Sequence, residues 1–152
     1  VSIDELFTKP QGAILTKTSA ETIPHNTLID PVSWDEATEF NQSAPNFGDI
    51  TSDGFTIPND DYSYARFGAA LELDTQVTID FCDLRLNGDT AKAGYWSLRE
   101  LANKRSLIAK SAWVPVDSGD TVTFRFRQTN DSASSIDILQ STNGTWFSVE
   151  VV

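Results

Sequence analysis

Large apolar side chains stand at every second position in several short segments, most clearly in the C-terminal third of the chain. The segment 121–128 alternates three of them with threonine and arginine, and the segment 145–152 alternates three more with serine and glutamate. These positions are Val122, Phe124, Phe126, Phe147, Val149 and Val151. A period of two buries one face of a β-strand and leaves the other face in water. The pattern therefore predicts an all-β domain built from antiparallel strands.

Turn-forming residues separate the strand candidates. The clearest are Asn-Gly-Asp at 87–89, which is a hairpin signal, and Asp-Ser-Gly-Asp at 117–120, just before a strand. Further strands are predicted at 12–16, 54–58, 62–73, 75–86, 107–116 and 135–140. Short strands with turns about every 8–12 residues are typical of a sandwich or jelly roll.

Two segments carry mixed signals. The apolar phase of 75–86 slips near Cys82, which predicts a β-bulge. The segment 98–104 is rich in helix-forming residues and is the best helix candidate in the chain, with an irregular loop as the alternative.

The first 45 residues differ from the rest because prolines and isolated apolar residues replace the regular alternation. We interpret residues 1–45 as an extended N-terminal arm with short strands and residues 46–152 as the jelly-roll domain. Five apolar residues of the arm have the character of anchors: Ile3, Leu6, Phe7, Ile14 and Leu15.

The net charge of −11 argues against a nucleic-acid partner, because binding to phosphates depends on clustered Lys and Arg. No apolar run approaches the length of a membrane span, so we expect no membrane partner either. The single cysteine, Cys82, lies in an apolar run and is predicted to be a small buried residue. The chain begins with Val and contains no Met, so we expect a processed or trimmed form.

Candidate chemistry is sparse, and we expect no catalytic residue, cofactor or metal. The only histidine, His25, lies in the arm, where it is a poor base for a Ser-His-Asp site. Acids cluster in turns, where capping or solvation is more common than a calcium site or a glycosidase pair. Among the aromatic residues, Tyr95 and Trp96 are the best candidates for stacking on a sugar, with a core or interface role as the alternative.

Four short motifs resemble, in their order, the complement globular-head and tumour necrosis factor-like jelly roll. They are Gly-Phe-Thr-Ile-Pro at 54–58, Tyr-Ser-Tyr-Ala at 62–65, Val-Asp-Ser-Gly-Asp-Thr-Val at 116–122 and Thr-Trp-Phe-Ser-Val at 145–149. The resemblance covers about residues 50–152, and it departs from the complement type at Asp61, where that type often has Gly. It implies an antiparallel two-sheet jelly-roll sandwich that assembles as a compact trimer.

The resemblance implies that the strands at 62–73 and 145–152 line the trimer axis. Their second face carries Tyr62, Tyr64, Trp146 and Val152. An apolar face open to water favours association. We therefore predict a homotrimer with these four residues at its interface. The alternative is that the arm covers their rings.

Similar minimal jelly rolls occur on the surface of tailed-phage particles, and the Thr-, Ser-, Asn- and Asp-rich composition is similar to theirs. We expect a non-enzymatic capsid decoration that stabilises the capsid, with the arm anchors contacting the major capsid protein or neighbouring virion subunits. No heptad or collagen-like repeat precedes the jelly roll, which favours this role. The alternative is a tail-fibre or tail-spike head that binds a host receptor or surface glycan.

Overall fold

The structure is a computed structural model that describes residues 11–40, 50–57, 62–88, 97–141 and 144–152. This part of the chain contains eleven strands and no helix. The strands are β1 (Gln11–Thr16), β2 (Glu21–Ile23), β3 (Glu36–Phe40), β4 (Ile50–Thr51), β5 (Gly54–Thr56), β6 (Tyr64–Leu86), β7 (Ser97–Lys110), β8 (Val114–Pro115), β9 (Thr121–Thr129), β10 (Ile136–Ile138) and β11 (Trp146–Val151). The prediction of an all-β chain is confirmed.

The strands form one curled antiparallel sheet whose two halves face each other. The first layer has the order β3-β1-β11-β6-β7 and uses residues 64–73 of β6 and 106–110 of β7. The second layer has the order β7-β6-β9-β5-β4 and uses residues 77–86 of β6 and 97–104 of β7. Because β6 and β7 run through both layers, the jelly roll is continuous rather than two separate sheets.

The predicted slip in apolar phase is present inside β6. Its register against β9 shifts between Ile79 and Phe81, just before Cys82. Ile79 is buried before the shift, whereas Cys82 and Leu84 are buried after it. The extra residue in β6 therefore changes the buried positions from odd-numbered to even-numbered ones. Cys82 is a buried free thiol, as predicted.

Aromatic rings join the two layers in the core. The Phe147 ring of β11 lies 5.1 Å from Phe55 of β5 and 6.4 Å from Phe124 of β9, measured between ring centroids. Trp34 packs 5.7 Å from the same ring. The alternating apolar positions of β9 and β11 point into this core, as do those of β6 except Phe81, which confirms the period-two interpretation. The Phe81 ring is partly buried and lies against the guanidinium groups of Arg125 and Arg127. Each fully buried large apolar side chain contributes about 1.5–3 kcal/mol.

The helix candidate at 98–104 is wrong, because this segment belongs to strand β7. Its residues favour a helix in isolation, but β7 pairs along both halves of β6, from Ser97 opposite Asp83 to Lys110 opposite Gly68. A propensity difference of a few tenths of a kcal/mol per residue is small beside the pairing of β7 along β6.

The residues that can belong to the predicted arm are fewer than 1–45. β1 lies between β3 and β11 in the first layer, and Leu15 and Trp34 are each only 2% exposed. Residues 11–40 are thus part of the sandwich. Residues 1–10 and the boundary near residue 45 lie outside the described residues, so an arm there stays a prediction.

Candidate functional site

The outer face of the first layer is the candidate interaction site, and we call it the open face. Its side chains come from the even-numbered positions of four strands, on the side away from the core. They are Ile14 and Thr16 of β1, Tyr64, Arg66, Gly68, Ala70 and Glu72 of β6, Ser106, Ile108 and Lys110 of β7, and Trp146, Ser148 and Glu150 of β11.

Exposed apolar side chains concentrate on the open face. Large hydrophobic residues that are exposed in the described part of the chain are Ile14 (37%), Leu28 (42%), Tyr64 (49%), Ile108 (61%) and Trp113 (38%). All but Leu28 lie on this face or, like Trp113, against one of its side chains. This concentration makes the open face the candidate interaction surface among the described residues.

The floor of the open face is made of small residues. A Cβ atom at Gly68 would lie 3.0 Å from Cζ3 of Trp146 and 3.1 Å from the Ser148 hydroxyl oxygen. Glycine at this position therefore lets the Trp146 indole pack closely against β6. Around it is an open hollow of about 220 Å³ lined by Arg66, Lys110, Trp146 and Glu150 among others.

A second hollow of about 370 Å³ adjoins Ile108. Its lining includes Ala70, Glu72, Arg105 and Gly144, and its surface is more apolar than that of the first hollow. Ile108 projects beside it and is the most exposed large apolar side chain in the described residues. The open face thus offers both a projecting apolar group and shallow depressions.

An ion pair links β6 and β11 at the end of the open face that carries Tyr64. Arg66 donates to Glu150 across β6 and β11 at 2.8 Å, and its guanidinium lies 4.8 Å from the Trp113 ring centroid. Tyr64 and Val152 exchange backbone hydrogen bonds of 3.0 and 3.2 Å next to this pair. If this face is covered, the charges of Arg66 and Glu150 are therefore already paired within the chain.

Of the four residues predicted for the trimer interface, Tyr64 and Trp146 lie on this face and Val152 borders it, whereas Tyr62 packs against the hydrophobic core. Tyr64 and Val152 are adjacent, Tyr62 donates from its hydroxyl to Gln11 at 2.5 Å, and Trp146 lies at the far end of β11. Whether they contact another copy stays a prediction.

The predicted arm and sugar-stacking residues are distributed differently. Leu15 is buried in the core and is removed from the predicted capsid-binding set, because a side chain 2% exposed has no surface to offer. Ile14 is exposed, but it lies on the open face and not on an arm. Ile3, Leu6, Phe7, Tyr95 and Trp96 lie outside the described residues.

The described residues show structural roles for the candidate chemical groups. His25 accepts a hydrogen bond at Nδ1 from the Asn130 backbone N–H at 3.2 Å. Asp120 accepts from the Asp117 backbone N–H at 2.8 Å, which caps the turn that contains Gly119. Within the described ranges, no three His, Cys, Asp or Glu side chains gather in a way that would hold a metal ion.

The sequence analysis missed Gly68, Ile108 and Trp113 as members of the site. Leu107 and Ile108 are adjacent apolar residues, and alternation alone does not say which one points inward. The structure buries Leu107 (5% exposed) and exposes Ile108. The pairing of Arg66 with Glu150 could not be predicted from the sequence, because it depends on the register between β6 and β11.

Solved structures with this fold include murine APRIL, which has 12% sequence identity, a TM-score of 0.56 and coverage of 95% of this chain and 100% of that one. GITRL from bushbaby has 12% identity and a TM-score of 0.55, with 95% of each chain covered. The Eiger TNF of S. frugiperda has 10% identity and a TM-score of 0.54, with 95% of this chain and 94% of that one covered. No family model matches the chain, and no curated protein matches it in sequence.

These likenesses establish a tumour necrosis factor-like jelly roll. At such low identity they speak to the fold alone. In the part of the chain that the structure describes, no helix has the length and apolar character required to cross a bilayer.

Proposed function

We propose that the chain is a non-enzymatic binding module that assembles as a homotrimer through its open face. The observation that carries this proposal is the concentration of exposed apolar side chains on that one face. The jelly-roll family that the sequence resembles also assembles as trimers. A three-fold ring covers the same face on every subunit and leaves no uncovered copy of it.

We further propose that the trimer decorates and stabilises the exterior of a phage capsid. The sequence supports this setting through its similarity to virion jelly rolls and through the apolar residues Ile3, Leu6 and Phe7. β1 begins at Gln11, opposite Val151 and close to Tyr62. In a three-fold ring the three Gln11 residues therefore lie at the same end of the assembly, and we propose that contacts with neighbouring capsid subunits are made at this end.

Assembly is tested by light scattering during size-exclusion chromatography at micromolar concentration. We expect a mass near three times 16.7 kDa for the wild-type chain. Ile108→Lys is expected to give a folded monomer, because Ile108 is 61% exposed on the open face and a lysine there must be desolvated on assembly.

The matched control is Leu28→Lys. Leu28 is also exposed, at 42%, but it lies in the segment beside β9, away from the open face. We expect this variant to keep the wild-type mass. A monomeric wild type, or an Ile108→Lys variant with the wild-type mass, would contradict the proposed interface.

A further inference from the structure

Unpaired basic side chains concentrate on one strand. Among the described residues, five basic side chains form ion pairs with a carboxylate. The pairs are Lys17 with Glu21, Arg66 with Glu150, Arg85 with Asp30, Arg125 with Asp83, and Arg127 with Asp80. The described basic side chains without such a partner are Lys104, Arg105 and Lys110. All three are exposed and all lie on β7. In a chain with a net charge of −11, three cations without a carboxylate partner on one strand are unexpected. Arg105 does donate to the Leu73 carbonyl oxygen at 3.2 Å.

Residues 106–110 of β7 form one margin of the open face, and residues 104 and 105 precede them on the same strand. This strand pairs with β6 and, within the described residues, with no other strand. Arg105 lines one hollow of the open face and Lys110 lines the other. A positive margin therefore borders the apolar surface.

The opposite margin of the same layer is acidic. β3 pairs only with β1 within the described residues, and it begins with the exposed Glu36 next to Asp35. Asp35 accepts from the Thr18 backbone N–H at 2.9 Å, which orients its carboxylate. Strand register places Glu36 in one row with Thr16, Trp146, Ala70 and Ile108, so the acidic and basic margins lie about 19 Å apart on one face.

Opposite charges on opposite margins of one face suit a head-to-tail contact between copies. In a closed ring each subunit offers one patch to its neighbour and receives a different one. A positive β7 margin meeting a negative β3 margin brings cations beside carboxylates when the ring closes. A second copy of the chain supplies this complement without any other molecule.

We propose that the partner of the β7 margin is a second copy of this chain, with Lys104, Arg105 and Lys110 facing Glu36 and Asp35 of the neighbour. This inference rests on the proposed homotrimer and adds the direction in which subunits meet. Exposed ion pairs contribute little affinity each. Their role here is to select the pairing of margins and to speed encounter, so assembly depends on salt.

The first test neutralises the margin. Lys104→Gln with Lys110→Gln removes two cations that make no hydrogen bond within the described residues. The control, Ser118→Glu with Ser135→Glu, lowers the net charge equally at two exposed positions that lie on neither β7 nor β3. We expect the concentration at which half of the chains are monomeric to rise about tenfold at 50 mM NaCl for the neutralised variant, with most of this difference lost at 500 mM.

The second test reverses and restores the charge. Lys104→Glu with Lys110→Glu should weaken assembly further, and adding Glu36→Lys to it should recover part of the loss. Near-ultraviolet circular dichroism confirms that each variant is folded. If the wild type is trimeric but the neutralised variant and its control dissociate at the same concentration, the proposed margin pairing is wrong and the proposed trimer is retained. A monomeric wild type at all concentrations overturns both.

Discussion

At the scale of single residues, glycines set where strands approach each other closely. Gly54 has a φ of +150°, and a Cβ atom there would lie 2.1 Å from the Val122 carbonyl oxygen in β9. A substitution must therefore push β5 away from β9. Gly119 has a φ of +86° but nothing within 4 Å of its Cβ position, so only backbone strain opposes a side chain there.

Gly54→Ala is expected to lower the free energy of unfolding by about 3 kcal/mol or more, because steric overlap adds to backbone strain. Gly119→Ala serves as the matched control, with an expected loss of about 1 kcal/mol from strain alone. Urea unfolding of both variants at one protein concentration measures the difference. Equal losses would show that the close approach of Gly54 to β9 is unimportant.

At the scale of elements, β1 is a structural strand and not an appendage. It pairs with β3 on one side and β11 on the other, and it buries Ala13 and Leu15. Capsid binding through the N-terminus is therefore to be sought in residues 1–10. A longer deletion would remove part of the core.

Deletion of residues 1–10 is expected to leave the trimeric state and the unfolding transition unchanged while binding to capsids that lack the protein is lost. Deletion of residues 1–16 removes β1 as well, and we expect it to cost more than about 3 kcal/mol and to prevent folding. Co-sedimentation with purified capsids measures binding. Full binding by the shorter deletion would contradict the proposed role of the N-terminal anchors.

At the scale of the whole molecule, stability and assembly are coupled if the open face is buried between copies. A trimer that unfolds to three separate chains is stabilised by mass action.

The midpoint of thermal unfolding is thus expected to rise by about 3 °C for each tenfold increase in concentration of the wild-type chain. The Ile108→Lys variant, expected to be monomeric, should show no such dependence. Differential scanning fluorimetry over a hundredfold range of concentration makes the comparison. A wild-type midpoint that does not move would argue against assembly in that range.

Much of the fold was predictable because its signals are local. Alternation in β9 and β11 depends only on which side of a strand each residue faces, and the burial of Phe126 and Phe147 follows from it. The same parity placed Tyr64 and Trp146 on the outer side. The turn at Asn87 and Gly88 is also local, since both residues adopt positive φ values of 52° and 73°.

The features that sequence reasoning missed depend on contacts between distant parts of the chain. β7 is a strand because β6 lies beside it, and β1 joins the sandwich because β11 and β3 flank it. The exposure of Ile108, the small floor at Gly68 and the charged margins likewise follow from which strands are neighbours. Side-chain period and turn conformation are properties of a few consecutive residues, whereas strand neighbours, register and the uncovered face exist only once the sheet has closed on itself.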